Sequence, residues 1–345
     1  MEGRNQAESE LTTMLEYCER GPELYRPSPF WRELPQTHVE ELESAGFENF
    51  KRTVNTRYFS WRTLGILRHQ ALAVGADWAR HPSAAVFASE FPDPAPFGPL
   101  SARIYKAFVA MYADLLERRD RLGLVESLRE PSLGNPFLVR HRGLELTQDL
   151  CNSIQELYSI LGPEPDRTAE ISVCEVGAGY GRLAFAFLEA LPRSSYCIVD
   201  IPPALYLSQR YLTELFGEEE VFRFRPFTRF EDVREEFERA RIRFLAAPQI
   251  ELLPPKSFDY FVNISSLHEM TMDQIGNYFR EMDRLCRGRV YTKQWRTSRA
   301  KVNGVVLREH DYPIPAGWRE IYHRRHPIQR MFFDALYEVE PAVSA

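Results

Sequence analysis

The stretch EVGAGYGRLAFAFL, Glu175 to Leu188, decides how the rest of the chain is read. Gly177, Gly179 and Gly181 stand at alternate positions between a short apolar run and a helix-like run. Glycine lacks the Cβ that keeps a ligand off the backbone, and it enters conformations closed to other residues. A strand ending in an acidic residue, then such glycines, then a helix, makes a loop against which a ligand can lie. A dinucleotide site asks for G-x-G-x-x-G, with the pyrophosphate at the helix N-terminus. Here the third glycine comes one position early and Arg182 stands where it should be, which counts against a nicotinamide oxidoreductase.

The spacing E-x-G-x-G-x-G is instead that of enzymes using S-adenosylmethionine (SAM), a sulfonium with an amino-acid tail, a ribose and an adenine. On that reading Glu175 suits the ammonium end, and Gly177, Ala178, Gly179, Tyr180 and Gly181 form the cradle. YCIVDIPP then closes the next strand on Asp200, placed to accept both ribose hydroxyls, with Ile201 beside it. Gln249 in AAPQ, after the third strand, is the amide expected near the adenine.

The frame around the loop supports this. After Thr168, β-rich runs alternate with helices: ISVCE, YCIVD, IRFLAA, FDYFVNI and RVYTKQ. Such alternation predicts an α/β fold with a parallel, doubly wound, Rossmann-like sheet over 166–345. Thr271 and Gln274 form a capping box before Ile275, Tyr278, Phe279, Met282 and Leu285, with Gly288 expected to close that helix. Upstream, 31–165 reads as a helical N-terminal region that serves as an acceptor lid or a dimerisation surface. Its last helix shows Leu146, Leu150, Ile154, Leu157 and Leu161 at three- and four-residue intervals. Residues 1–30 read as a flexible N-terminus, polar and then Pro-rich.

Composition narrows the function classes. A formal charge of −6 predicts no nucleic-acid partner, because phosphate binding leans on excess Lys and Arg. The basic HRRH at His323–His326 is expected to be a solvated face. No apolar run is long enough for a bilayer or a signal-peptide core, which predicts a cytoplasmic protein with no membrane partner. Five scattered cysteines lack the CxxC spacing of a zinc site, and Cys174 and Cys197 read as core thiols. No acidic cluster follows the fourth or fifth strand, so no metal is expected.

Ligands of open α/β sheets meet the carboxyl ends of the strands, so Asn263, Ser265 and the run SSLHEMTMDQI should face a transferred methyl. Asn263 is not followed by the Pro-Pro-Tyr of enzymes that methylate nucleic-acid amines. LHEMT resembles instead the His-Asp-Trp-Ser stretch of small-molecule O-methyltransferases. An alcohol is a poor nucleophile until a positioned base takes its proton, and His268 is the candidate base, with Glu269 to orient it. His310 and Asp311 in REHDY are reserve candidates for base or acceptor contact.

EVGAGYGRLAFAFL, YCIVDIPPALYLSQRYL, FVNISSLHEM and the tail GWREIYHRRHPIQRMFFDALYE together resemble a family of sugar O-methyltransferases, found with antibiotic-glycosylation and polysaccharide genes. The similarity runs from about Trp31 to Glu338. It implies a class I SAM-dependent fold and a small-molecule acceptor, a sugar or glycosylated natural product. Arg57 and Tyr58 in NTRYF, among Phe47, Phe50, Phe59 and Trp61, are candidate cofactor or acceptor contacts. A polyketide, phenol or amino-sugar acceptor, a non-catalytic SAM-fold binding protein, and a homodimer remain open on the sequence.

Overall fold

The computed structural model describes residues 2–28, 46–53, 64–92, 98–299 and 306–339. Helices come first: α1 (Glu2–Arg20), α2 (Leu64–Arg80) and α3 (Pro99–Glu117). A small hairpin follows, β1 (Val139–His141) against β2 (Leu144–Leu146), turning through Arg142 and Gly143, both at positive φ. The sequence reading contains no strand here, since three residues are too few to show an alternation. α4 (Gln148–Leu161) is capped by Thr147, whose Oγ1 accepts from the Leu150 N–H at 3.0 Å. Leu150, Ile154 and Leu157 are buried as their spacing predicts, but Leu146 belongs to β2.

Next come β3 (Ser172–Val176), α5 (Arg182–Ala190), β4 (Ser195–Asp200), α6 (Ala204–Phe216), β5 (Val221–Phe222), α7 (Arg234–Arg239) and β6 (Ile242–Ala246). After them stand β7 (Phe258–Ile264), α8 (Met272–Leu285) and β8 (Cys286–Trp295). β9 (Thr297–Arg299) pairs with β10 (Val306–Arg308), and β11 (Trp318–Arg325) and β12 (Phe332–Val339) end the described chain. The main sheet has eight strands in the order β11, β12, β8, β7, β3, β4, β6, β5. β5 to β8 and β3, β4 run parallel, while β12 inserts antiparallel beside β8 and pairs with β11. The five strands read from sequence are all present. β11 escapes notice because it is a charged edge strand, and β12 because it is buried nearly throughout and does not alternate.

One core joins α3 and α4 to α5, α6 and a face of the sheet, so the helical region and the sheet share their apolar interior. α8 lies on the other face, with its capping box in place and Ile275, Tyr278, Phe279, Met282 and Leu285 buried. Gly288 does not close that helix. The helix ends at Leu285 and β8 starts at once; Gly288 sits within the strand, where a Cβ would lie 2.4 Å from the Asp259 carbonyl oxygen.

The largest departure from expectation is at the N-terminus. Residues 1–30 read as flexible, yet α1 is docked, with Met14 and Cys18 at most 1% exposed. Glu10 accepts from Arg223 Nη2 at 2.7 Å and from Gln209 Nε2 at 2.6 Å. The elbow after α1 brings Gly21 against Pro248, and Gln274 Nε2 donates to the carbonyls of Leu24 and Arg26. Leu11, Met14 and Cys18 form too narrow an apolar stripe to announce this docking. Among the described residues no helix is long and apolar enough to cross a membrane.

Candidate active site

From β3 the chain winds outward through β4 and β6, then returns to the other side of β3 with β7 and β8. That reversal opens a crevice at the strand ends, the usual ligand position in such sheets. After Val176 the backbone passes Gly177, Gly179 and Gly181 at φ of 76°, 63° and 86°, where other residues are strained. A Cβ on Gly177 would stand 2.5 Å from Ser266 Oγ. The Gly177 N–H donates to the Val199 carbonyl at 3.0 Å, and the Gly179 N–H to Asp200 Oδ2 at 3.1 Å. Ala178 is half-buried. Tyr180 turns inward, its ring against Phe50 and Tyr211 and its hydroxyl donating to Asp149 Oδ2 at 3.1 Å.

Asp200 Oδ1 takes the N–H of half-buried Ile201 at 2.8 Å. Each Asp200 oxygen has a further lone pair. Burial pushes this carboxyl up to about 7, against the N–H groups of Ile201, Gly179 and Ala178. Bare backbone beside a carboxylate with acceptor capacity to spare fits the ribose side of an adenosyl cofactor.

Three other expected contacts turn out to be internal braces. Glu175 is 2% exposed and its Oε2 accepts from Tyr196 Oη at 2.9 Å, beneath the loop and away from its mouth. Burial pushes its pKa up to about 8, with Tyr196 and Arg182 opposing, so it is largely a neutral acid at pH 7 and ill suited to an ammonium. The half-buried carboxylate beside the loop is Asp149. Gln249 is fully buried; its Oε1 accepts from the Ala246 N–H at 2.9 Å and its Nε2 donates to the Arg225 carbonyl at 2.8 Å. Both ends of that amide are held by backbone, so it braces the turn after β6 instead of reading an adenine. Asn263 Nδ2 donates to the Val176 carbonyl at 2.9 Å and to Ser266 Oγ at 2.7 Å, tying the glycine loop to the loop after β7. Ser265, at φ 58°, gives that second loop its sharp exit and donates its N–H to the Lys293 carbonyl at 2.8 Å.

The raised Glu175 pKa makes a testable demand on stability. The folded state prefers the neutral acid, so this contribution is complete below the unfolded pKa of about 4.3 and is lost as pH rises through about 8. Glu175→Gln keeps an acceptor for Tyr196 and removes the titration. Urea unfolding between pH 5 and 8 is expected to show the variant gaining on the parent by up to ~1.4 kcal/mol per pH unit. A constant difference across that range would rule out a titrating Glu175.

His268 lies on a single turn, Leu267–Glu269, between β7 and α8. Its Nδ1 is 3.3 Å from Gln294 Oε1. Gln294 Nε2 donates to Asn263 Oδ1 at 2.6 Å, so its oxygen is the acceptor and the imidazole proton is assigned to Nδ1. Nε2 then carries the lone pair. Burial holds the imidazole down to about 4, against the Gln294 hydrogen bond, so it is neutral at physiological pH. Glu269 Oε1 stands 3.6 Å from Nε2, and Trp295 packs edge-on at 6.0 Å. Gln294 is thus the orienting partner that the sequence reading misses; it lies in the polar run Thr292, Lys293, Gln294, buried in the second half of β8.

The remaining candidates lie elsewhere. His310 is exposed on the turn after β10, its ring 5.2 Å from that of His323, and Asp311 closes the turn by accepting from the Arg308 N–H. HRRH is not uniformly solvated, since His326 is buried and takes the N–H groups of Ile328 and Gln329 at Nδ1. Arg57 and Tyr58 fall outside the described residues. All five cysteines are free and buried. Among the described residues no three His, Cys, Asp or Glu side chains group as a metal site.

No protein-family model and no curated protein matches the chain. Among solved structures, the pyocyanin biosynthetic protein PhzM is similar with a TM-score of 0.34 and 13% identity, over 54% of each chain. The chain therefore spans about half the length of PhzM. A SAM dependent methyltransferase from Aquifex aeolicus gives a TM-score of 0.30 at 12% identity, over 51% of this chain and 85% of that one. Phosphoethanolamine N-methyltransferase 1 from Haemonchus contortus, in complex with phosphoethanolamine and S-adenosylhomocysteine, gives 0.38 at 12%, over 56% and 43%. This chain's own sheet is Rossmann-like, parallel from β5 to β8 through β6, β4, β3 and β7, with β12 inserted antiparallel beside β8.

Proposed function

We propose that the protein is a SAM-dependent O-methyltransferase acting on a hydroxyl of a sugar or glycosylated natural product, with His268 as general base. The observation that carries this is the neutral imidazole on the turn after β7, two residues from the Ser266 that packs on Gly177, its Nδ1–H held by Gln294 and its Nε2 lone pair unprotonated. SAM, when bound, supplies an electrophilic methyl group and leaves as S-adenosylhomocysteine. Asp200 would hold the ribose, the backbone from Gly177 to Gly181 would cradle the cofactor, and Asp149 would supply a carboxylate for its ammonium. His268 Nε2 accepts the proton of the acceptor hydroxyl as its oxygen attacks, and Gln294 keeps the ring from rotating or changing tautomer. The sugar acceptor rests on the family resemblance of the glycine loop and the tail.

The test has two stages. Calorimetric titration with S-adenosylhomocysteine is expected to give one-to-one binding. Incubation with SAM and a panel of sugars, glycosides, phenols and amino sugars is then expected to add one methyl to a sugar oxygen, read by mass and by linkage-resolved NMR. Transfer to nitrogen or to a phenol alone would overturn the acceptor class; no cofactor binding would overturn the enzyme reading.

A further inference from the structure

Lys51 is a buried cation that methyl transfer does not itself require. It lies in the short segment Phe47–Thr53 of the helical region, with its side chain 3% exposed. Its ammonium donates to Glu130 Oε1 at 2.5 Å, to Tyr211 Oη at 3.2 Å and to the Pro131 carbonyl at 3.3 Å. Three aromatic rings surround the same Nζ: Tyr211 at 4.8 Å, Tyr180 at 5.5 Å and Phe50 at 5.9 Å from their centroids. All three ammonium protons are used, so the group has one position. Burying such a pair is costly compared with apolar side chains of the same volume, so packing alone does not account for it.

Two of the three rings belong to the elements that carry the candidate cofactor site, the glycine loop and the helix packed on it. Tyr180 is in the glycine loop, between Gly179 and Gly181, and its hydroxyl reaches Asp149. Tyr211 is on α6, the helix that follows Asp200. One cation from the N-terminal region therefore holds the side chain of the loop and the helix behind it together.

We propose that Lys51 is a positioning residue for the glycine loop: by fixing the Tyr180 ring it sets the loop's affinity for SAM without touching the cofactor. This rests on the SAM reading above. The experiment is calorimetric titration with S-adenosylhomocysteine, well below each melting temperature, of the parent, Lys51→Met, Tyr180→Leu and the double variant. Because Lys51→Met strands the Glu130 carboxylate, Lys51→Met/Glu130→Gln is measured beside it. Each single change is expected to weaken binding about tenfold, the scale of a desolvated cation–π contact, and the double to weaken it no further. Tyr180→Phe, which keeps the ring and loses the bond to Asp149, is expected to bind more tightly than Tyr180→Leu.

A lowered melting temperature with unchanged Kd, or losses that simply multiply in the double variant, would make Lys51 a scaffold residue and overturn the proposal. A Phe variant as weak as Leu would do the same. If the parent itself fails to bind, the cofactor reading falls and takes this one with it.

Discussion

Replacing His268 with Ala is expected to lower kcat for methyl transfer by about 10²–10⁴, the range that a positioned general base supplies, while S-adenosylhomocysteine binds as tightly as before. The expectation rests on an unusual feature of the imidazole. Burial holds its pKa down to about 4, so it is already a neutral base across the working pH range. The His268 limb of a pH–rate profile should therefore appear only near pH 4, not at the value of about 6.5 typical of an exposed histidine. An acid limb near 6.5 that vanishes in His268→Ala would contradict the buried geometry. A variant that retains full kcat would remove His268 from the chemistry.

Asp200→Ala is expected to weaken S-adenosylhomocysteine binding by about a hundredfold to ten-thousandfold, from about 1.5–3 kcal/mol for each of the two charged hydrogen bonds lost. The same carboxyl also predicts how the parent responds to acid. Its pKa is raised to about 7 in the free protein, and only the ionised form accepts both ribose hydroxyls. Affinity should be complete well above pH 7 and fall as pH drops through it, to about one tenth at pH 6, where one molecule in eleven is competent. Titrations at pH 6, 7 and 8 check this. The slope should flatten in Asp200→Ala, and an equal slope in both proteins would assign the titration to another group.

How much of this was legible in advance depends on whether the signal was local. The glycines, Asp200 at the end of β4, the capping box at Thr271 and the candidate base His268 all declare themselves within ten residues, because strand, turn and helix are short-range patterns. Glu175 and Gln249 were misjudged because residue type does not reveal direction: one carboxyl points under the loop to Tyr196, and one amide folds back on its own turn. Gln294 acts on His268 from a strand 26 residues away, and Lys51 meets Glu130 and Tyr211 across 79 and 160 residues. No periodicity carries such pairings. α1 fails for a related reason, since its seat is built by helices and turns some 200 residues downstream.

That distance also bears on how the chain is made. Gln209 lies 199 residues after Glu10, and Gln274 lies 250 after Leu24, so α1 leaves the ribosome long before the segments it docks on and finds its place late. At roughly 5–20 residues per second it waits on the order of ten to fifty seconds for its partners to be synthesised. Its narrow apolar stripe suits the delay: a helix of 19 residues with mostly polar faces offers little for a chaperone or a neighbouring nascent chain to hold. Birth order and assembly order are thus reversed, and the side of the molecule beside Asp200 and Pro248 receives its cover from α1 only after most of the sheet has emerged.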